Sequence, residues 1–433
     1  MGAQRAAWMV SYRAESAARN GLHFGHSMLD LVKAYEKLPH HYIVQAARRL
    51  GYCLCTLRLS LASYRLPRAL GADGAYSRLV IANLGITAGA GFATAELRIL
   101  LYEVVTGTLR AWPLVAITLY VDDATIEAMH ASLRTAQAVL AAATDQMVRH
   151  LLEALELEVS VKKSVVLGST PSLGRAVALA SRTQVLTSAR CAKLLGVGAC
   201  GGRRRTTKHL RVRISAFKKR VPRIQQLRRA RVNAIRLARA AGTPMVTYGV
   251  DTHGFANAHL LDARRVIAKA VAPDAGGKSA ELVLYAADGA SGSLDPAFDA
   301  HCLPLRTWAL AHWQRWVPPQ HLNEALLVAK AKVNTANGPC WSRVCGPAAA
   351  LVASACRIGW ELISGRNAVT DVGESIDFLL DPPCVVLQAA RRSVRRWRLT
   401  NITQMFLALI PSEPDVIVPH DRSGSDGTRA ENI

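Results

Sequence analysis

Three aspartates at separated positions could bind metal ions together. Asp122 and Asp123 follow an apolar, β-rich run, AWPLVAITLYV, and a second short strand pattern, ATIEAM, comes after them. Neighbouring side chains on a straight strand point to opposite faces, so both carboxylates reach one metal site only if the chain turns there. Two Mg²⁺ ions that clamp an attacking hydroxyl and a leaving phosphate also need a carboxylate from elsewhere in the chain. Asp30 is the candidate for that third group.

Each of these aspartates also has a simpler structural interpretation. An Asp-Asp pair at the tip of a hairpin is common turn chemistry, and Asp30, which precedes LVKAYEKL, has the position of a helix N-cap. Single motifs give many false matches, so a catalytic role depends on several features occurring in the right order.

The elements around Asp30 are a strand, a turn and a helix. Between Asn20 and Gly51 the predicted helix is interrupted at Pro39, or divided into two, and its apolar positions are Val32, Tyr35, Leu38, Ile43 and Ala47. Alternating residues on both sides of GADG predict a hairpin between Ser63 and Ala82. The Gly-rich segment LGITAGAG then leads into the helix FATAELRILLYEVV.

Downstream of Asp123 the patterns predict a long helix from about His130 to Leu157 and then a strand, a turn and a strand in LEVSVKKSVVLGS. From Thr207 to Ala240 apolar residues recur every three or four positions among Arg and Lys. This spacing predicts a basic amphipathic helix, or a helix pair, broken near Pro222.

The positive charge of the chain is concentrated in one segment. The formal net charge is +23, and Val159 to Val250 contains 21 Lys and Arg but no Asp or Glu. Such a segment indicates a polyanionic partner, either nucleic acid or an anionic membrane surface. The alternative, an ordinary solvated helix face, is disfavoured because such a face normally mixes both signs of charge.

Cysteine spacing and hydropathy limit the cellular compartments in which we expect the protein. The nine cysteines form no CxxC pair, which argues against a zinc ribbon and a disulfide framework and favours a reducing environment. The longest apolar stretches are too short to cross a bilayer, and the first residues lack the apolar region of a signal peptide. We therefore expect a nuclear or cytoplasmic protein without a membrane partner.

From about Gly21 to Gly249 the sequence resembles the reverse transcriptase family, closest to its non-LTR retrotransposon, LINE-like branch. LDLVKAYEKLPH resembles the first catalytic motif, GITAGAG stands in the place of the Gly-rich nucleotide-pocket motif, and YVDD resembles the acidic hairpin. LEVSVKKSVVLG resembles the strand pair with a lysine that follows, AKLLGVG resembles the primer grip, and a basic thumb-like stretch comes next. Asp122 lies 92 positions after Asp30, and features in this order are more specific than any one motif.

The resemblance implies an α+β fold with a right-hand polymerase palm, in which helices pack on an antiparallel sheet. It implies a palm with residual fingers over residues 1–172, and a primer grip with a basic helical thumb over residues 173–250. Composition adds a mostly helical C-terminal region of unknown role over residues 251–410 and a disordered tail over residues 411–433. The short segment before Asp30 implies that the chain is N-terminally truncated and lacks most of its fingers.

The resemblance also implies roles for individual residues. Asp30 and Asp122 would bind two Mg²⁺ ions, or Mn²⁺ in their place, with the backbone carbonyl of Leu31 as a further ligand and Asp123 completing the acidic cluster. Tyr35 would be the steric gate that excludes a 2′-OH, although it also fits a core aromatic. The nucleotide pocket would further include Gly85, Gly89, Gly91 and Lys163, or its neighbour Lys162, which is also readable as a solvated turn lysine.

In the thumb region, Leu195 and Gly196 would form the tip of the primer grip. The template-primer backbone would contact Arg203, Arg204, Arg205, Lys208, Arg211, Lys218, Lys219, Arg220 and Arg223. The Gly-rich segment departs from the family pattern, because many relatives have Gln in the place of Ala88 and Pro in the places of Thr87 and Gly91.

These observations leave three functions open. The first is a reverse transcriptase domain that adds dNTPs to a DNA primer on an RNA template. The second is a catalytically dead retroelement remnant that only binds nucleic acid. The third is an RNA-dependent RNA polymerase, which the aromatic Tyr35 disfavours.

Overall fold

The computed structural model describes residues 2–202, 204–272, 279–289 and 292–407 of the chain. The fold is mixed α+β, and the described residues form a five-stranded sheet, a small three-stranded sheet, three short strand pairs and many helices. Every helix within these ranges is too short or too polar to span a lipid bilayer. The tail expected over residues 411–433 lies outside the described residues.

The first part of the chain alternates helices with the strands of the main sheet. Its elements are α1 (Ala3–Arg19), β1 (His23–Leu29), α2 (His40–Arg49), α3 (Leu54–Tyr64), β2 (Gly71–Ala72), β3 (Ala75–Tyr76), α4 (Ala93–Ala111), β4 (Val115–Tyr120), β5 (Asp123–His130), α5 (Leu133–Leu155), β6 (Val165–Gly168), α6 (Pro171–Ala180), β7 (Thr187–Ser188), β8 (Ala192–Leu194) and β9 (Val197–Ala199).

The second part of the chain is mostly helical. Its elements are α7 (Lys208–Arg229), α8 (Ala234–Leu237), a π-helical turn (Ala238–Gly242), α9 (Thr243–Thr247), α10 (Val250–His253), α11 (Asn257–Val271), α12 (Ala280–Asp288), α13 (Pro296–Trp313), α14 (Pro319–Val333), β10 (Asn334–Thr335), β11 (Gly338–Pro339), a 3₁₀ turn (Trp341–Arg343), α15 (Pro347–Arg357), β12 (Glu361–Leu362), β13 (Asn367–Val369), β14 (Ser375–Asp377) and α16 (Pro383–Leu407).

The main sheet has the strand order β4-β5-β1-β6-β7. Its pairs are antiparallel except β6 and β7, which run parallel, so the expectation of a purely antiparallel sheet is wrong at this edge. A crossover is needed to bring a parallel strand back to the sheet, and α6 supplies it. Because β7 ends at Ser188, the sheet extends past residue 172, the boundary expected for the palm.

Helices cover both faces of the sheet. An added Cβ at Gly25 on β1 would lie 2.8 Å from a methyl carbon of Leu140, so the absent side chain lets α5 approach this face closely. The next residue, His26, points to the opposite face, where Arg13 of α1 pairs with Glu127 of β5. This two-sided burial explains why six of the seven β1 residues are buried.

Pro39 and Pro222 have different effects on the helices that contain or follow them. Residues 32–37 form turns, and α2 begins only after Pro39, so the helix predicted through Val32, Tyr35 and Leu38 is wrong there. By contrast, α7 continues through Pro222, and the predicted break is also wrong. Its buried apolar stripe packs against α11, and this burial offsets the hydrogen bond that proline removes.

The first helix joins the two parts of the molecule. Trp8 and Tyr12 belong to the large core of the second part, where Trp8 meets Trp308 edge to face at 6.2 Å between ring centroids. Glu15 accepts hydrogen bonds from the backbone N–H groups of Ala348 and Ala349 at the start of α15. On its other side, α1 contacts β1 and β4 of the sheet.

Candidate active site

The acidic hairpin has the turn that two carboxylates at one site require. Tyr120 pairs with Asp123, which leaves Val121 and Asp122 as the two turn residues between β4 and β5. Val121 has a φ of 58°, in the left-handed region that β-branched residues rarely adopt. Such a conformation costs about 1–3 kcal/mol, and backbone strain of this kind is concentrated at functional sites.

Asp30 and Asp123 meet at the end of the β1–β5 pair. The antiparallel register joins Leu29 to Ala124, and its continuation by one residue places Asp30 opposite Asp123. Both aspartates line a cleft of about 100 Å³. The other polar or charged side chains that line it are Thr125, Lys163 and Lys193.

The pKa of Asp123 indicates a cluster of negative charge around its carboxyl group. Burial raises the pKa of its carboxyl above the ordinary value, and the nearby carboxylates of Asp122 and Asp30 raise it further. Lys163 and Lys193 lower it in part. The three predicted carboxylates are therefore close enough to influence one another.

These carboxylates meet part of the requirement for a divalent cation. Oxygen ligands and clustered negative charge are what Mg²⁺ prefers. However, no three His, Cys, Asp or Glu side chains in the described part of the chain converge closely enough to hold a metal ion. In addition, the ammonium nitrogen of Lys163 lies 3.2 Å from Oδ2 of Asp30, where a cation would bind. Metal binding would require Lys163 to move away and Asp122 to turn toward the cleft.

The turn that carries Lys163 is attached to the backbone of Asp30. The Asp30 N–H donates to Ser164 Oγ at 3.2 Å, and the Asp30 carbonyl accepts from Ser160 N–H at 2.8 Å. Lys163, rather than Lys162, lines the cleft. Leu31 is buried and forms an isolated β-bridge with Val159. Its carbonyl takes part in neither of the two hydrogen bonds that the Asp30 backbone forms.

The Gly-rich segment packs against the turn that contains Tyr35. Gly85 has a φ of +91°, and an added Cβ would lie 2.8 Å from the carbonyl oxygens of Tyr35 and Glu36. Glycine is thus required at position 85 for close packing of two backbone segments. Tyr35 is half-buried and packs against the core of the sheet, as its interpretation as a core aromatic predicts.

The other end of the Gly-rich segment is open. Gly89 has a φ of +87°, and added Cβ atoms at Gly89 and Gly91 would meet no described atom within 4 Å. Ala88, which precedes Gly89, is also exposed. His40 secures Gly85, because its Nδ1 accepts from Arg65 at 3.2 Å, which leaves Nε2–H to donate to the Gly85 carbonyl at 2.8 Å.

The hairpin formed by β8 and β9 connects the cleft to the second part of the molecule. Its tip residues Leu195 and Gly196 both have positive φ. The Tyr248 hydroxyl donates to the Leu195 carbonyl at 2.9 Å, and Arg213 donates to the carbonyls of Gly196 and Tyr248. Lys193 on this hairpin was not predicted from the sequence as a site residue. The only feature of the sequence that could have indicated it is its position two residues before the turn.

Most of the predicted basic residues form an exposed face. Seven of them are exposed, and within the described ranges none of the seven forms an ion pair with a carboxylate. These residues are Arg204, Lys208, Arg211, Lys218, Lys219, Arg220 and Arg223. Arg203 lies outside the described residues.

Arg205 departs from the predicted role in backbone contacts. Its guanidinium donates to the carbonyls of His253 and Trp341 and lies over the Trp341 ring, 5.5 Å from the centroid. Burial lowers its pKa to about 10. Because the side chain turns inward, Arg205 stabilises the contact between two parts of the chain instead of joining the exposed face.

Taken together, the cleft holds the carboxylates of Asp30 and Asp123 and the lysines Lys163 and Lys193. Carboxylate oxygens could bind a divalent cation here once Lys163 moves away and Asp122 turns toward the cleft, and the lysines could neutralise an anionic leaving group. A comparison of the chain with protein-family models and with curated proteins finds no match.

Proposed function

We propose that this chain is an RNA-directed DNA polymerase domain of the non-LTR retrotransposon type. The observation that carries the proposal is the meeting of Asp30 and Asp123 across two strands, with Asp122 in the adjoining hairpin turn. The substrates would be dNTPs, a DNA primer and an RNA template. The proposal places the protein in the nucleus or the cytoplasm.

The residues of the cleft would have distinct tasks. Two bound Mg²⁺ ions would supply the Lewis-acid chemistry of an in-line displacement at phosphorus. The carboxylates of Asp30, Asp122 and Asp123 would hold these ions. Lys163 would leave Asp30 and neutralise the departing pyrophosphate, and Lys193 lines the same cleft. Tyr35 would restrict space for a 2′-OH, since its turn packs against the Gly-rich segment.

The exposed basic face of α7 would hold the template-primer duplex. Arginine and lysine contacts to phosphates position a duplex without reading its sequence, and they release counterions. The face includes the exposed residues Arg211, Lys218 and Arg223 and no carboxylate within α7. Binding should therefore weaken steeply as salt increases.

Primer extension tests the polymerase proposal directly. The full chain is incubated with an RNA template, an annealed DNA primer, Mg²⁺ and either dNTPs or NTPs. We expect dNTP addition that Asp122→Asn abolishes. Asp73→Asn is a matched control, because Asp73 also occupies a hairpin tip, β2–β3, but is exposed and far along the chain from the cleft residues. Extension that survives Asp122→Asn would refute the site, and preferential use of NTPs would indicate an RNA polymerase.

The second candidate function is nucleic-acid binding without catalysis. It is favoured by the Lys163–Asp30 ion pair and by the lack of three converging metal ligands among the described residues. This candidate predicts salt-sensitive binding to an RNA–DNA duplex and no nucleotide addition by the unmodified chain. Repeated dNTP incorporation would eliminate it.

A further inference from the structure

Two cysteines flank the hairpin formed by β8 and β9. The strands pair Ala192 with Ala199 at the end farthest from the turn, and the same register continued by one residue places Cys191 opposite Cys200. Both cysteines are unpaired and half-buried. The nine cysteines of the chain thus include one pair that the fold sets face to face.

The geometry of the turn determines whether Cys191 and Cys200 lie at a hydrogen-bonded or a non-hydrogen-bonded position of the antiparallel pair. Positive φ at both turn residues, Leu195 and Gly196, is typical of a type I′ turn, in which the closing pair is hydrogen-bonded. Hydrogen-bonded and non-hydrogen-bonded pairs alternate along an antiparallel ladder, so Cys191 and Cys200, three pairs farther on, fall at a non-hydrogen-bonded position. There the Cα atoms are about 4.5 Å apart and the side chains are closest, which lies within the range that a disulfide spans.

The backbone at the base of the hairpin is held in place. An added Cβ at Gly201 would lie 2.2 Å from the carbonyl oxygen of Gly168, so the chain leaving Cys200 packs directly against the end of β6. At the other end, Tyr248 and Arg213 bind the tip of the hairpin. The two cysteines therefore cannot drift apart without disturbing these contacts.

We propose that Cys191 and Cys200 form a reversible disulfide that locks the base of the β8–β9 hairpin. The oxidant is a low-molecular-weight disulfide such as oxidised glutathione. The Cys191 thiolate attacks one sulfur of the oxidant and releases one small thiolate, which leaves a mixed disulfide. Cys200 then loses its proton to solvent, attacks the Cys191 sulfur and expels the second small thiolate. Two protein thiols are oxidised and one small disulfide is reduced to two thiols.

The assignment of the first attack to Cys191 follows from the surroundings of its partner. Burial, together with the neighbouring Cys191, raises the pKa of the Cys200 thiol to about 12. A thiol of that pKa is rarely ionised near neutral pH and seldom begins an exchange. Bond formation should accelerate as pH rises, since the closing step needs the Cys200 thiolate.

The bond would act on the cleft through the hairpin itself. Lys193, Leu194 and Leu195 line the cleft beside Asp30 and Asp123. Linking the strand ends would restrict the movement of these three residues. The disulfide proposal does not depend on any nucleotide chemistry, so it can fail or succeed independently of the polymerase proposal.

Peptide mapping of the full chain tests the disulfide. The reduced protein is equilibrated with reduced and oxidised glutathione, free thiols are alkylated, and the protein is digested with trypsin without reduction. Cleavage after Arg190 and Lys193 separates CAK (191–193) from LLGVGACGGR (194–203). We expect these peptides joined, with the loss of two hydrogen atoms, and slower hydrogen exchange across residues 192–199.

Two variants make the result specific. In Cys191→Ser the linked peptide should disappear and Cys200 should be alkylated. The double variant with Cys53→Ser and Cys55→Ser, which removes two exposed thiols on another element, should keep the link. Separate alkylation of both peptides under oxidising conditions, a glutathione adduct without a link, or a link to any other cysteine would each overturn the proposal.

Discussion

Asp30 and Asp123 stand opposite each other at the open end of the β1–β5 pair, because the register that joins Leu29 to Ala124 continues by one residue. Directly opposed like charges destabilise an antiparallel pair. Here the opposition is visible in Asp123, whose pKa is raised by burial first and then by its two acidic neighbours. A site that retains such repulsion is suited to a ligand that relieves it, such as a divalent cation.

The first prediction concerns the charge of Asp123. On the proposed mechanism Asp123→Asn should lower primer extension about 10³-fold, since the carboxylates that would hold the metal ions would contribute several kcal/mol to transition-state stabilisation. The midpoint of thermal unfolding should not fall, because the pKa of Asp123 is raised on balance, so the neutral amide loses the attraction of Lys163 and Lys193 but is freed from burial of a charge and from repulsion by Asp122 and Asp30. Extension assays and calorimetry on the same preparation check both outcomes. Unchanged extension would show that Asp123 takes no part in the reaction.

The second prediction concerns competition between Lys163 and a cation. The ammonium of Lys163 lies 3.2 Å from Asp30, and its side chain is 69% exposed. Exposed ion pairs contribute at most about 1 kcal/mol, so Lys163→Gln should tighten Mn²⁺ binding by up to about fivefold. Electron paramagnetic resonance of free Mn²⁺ measures the affinity. Lys162→Gln is the control, because Lys162 does not line the cleft, and equal affinities in both variants would contradict the competition.

The third prediction separates two kinds of glycine. Gly85→Ala should lower the free energy of unfolding by more than about 2 kcal/mol, because the new Cβ would meet two carbonyl oxygens at 2.8 Å in addition to the left-handed backbone cost. Gly89→Ala, which has a similar φ and open surroundings, should carry only the backbone cost of about 1–2 kcal/mol. Urea unfolding of both variants gives the difference. Equal losses would show that position 85 has room for a side chain.

Local turn chemistry was the most predictable part of the molecule. The turn at GADG forms as predicted, with positive φ at both Asp73 and Gly74. The strands beside it are shorter than predicted, at Gly71–Ala72 and Ala75–Tyr76, and the start of the predicted hairpin is helical because α3 continues to Tyr64. The turn at Asp122 is also where the strand pattern predicts it, since it depends on a few consecutive residues, and the turn at Gly196 lies where the resemblance implies a hairpin.

Features that depend on distant partners were not predictable from one sequence. Pro222 remains helical because α11 buries the stripe on α7, and nothing near position 222 indicates that partner. Arg205 is one of three consecutive arginines, and only the position of Trp341 distinguishes it from its exposed neighbour Arg204. The role of α1 as a link between the two parts of the molecule likewise depends on residues more than 300 positions away, such as Ala348.

The fourth prediction concerns that link. Glu15 accepts hydrogen bonds from Ala348 N–H at 2.9 Å and Ala349 N–H at 3.0 Å, where its charge also complements the dipole of α15. Glu15→Gln should lower the free energy of unfolding by about 1.5–3 kcal/mol, the range for hydrogen bonds to a charged group. Chemical unfolding measures the loss. Glu153→Gln, on the exposed side of α5, should have little effect, and a similar loss in both variants would refute a specific role for Glu15.

The last prediction concerns a buried histidine beneath the sheet. His26 on β1 is fully buried, and neither ring nitrogen has a hydrogen-bond partner within the described residues. Burial, with a smaller effect from the charge of Arg13, lowers its pKa to about 4 from an ordinary value of 6.5. Between these values the unfolded chain binds a proton that the folded chain does not, so the free energy of unfolding falls as pH falls.

The full loss from His26 approaches about 3 kcal/mol when the pH has dropped from about 7 to about 4. His26→Gln should remove this contribution and flatten the pH dependence of urea unfolding over that range. His253, whose pKa is also lowered to about 4, remains in both proteins, so its contribution cancels in the comparison. His41→Gln at an exposed position should leave the slope unchanged. If the His26 variant kept the slope of the unmodified chain, another group would have to be responsible for the acid sensitivity.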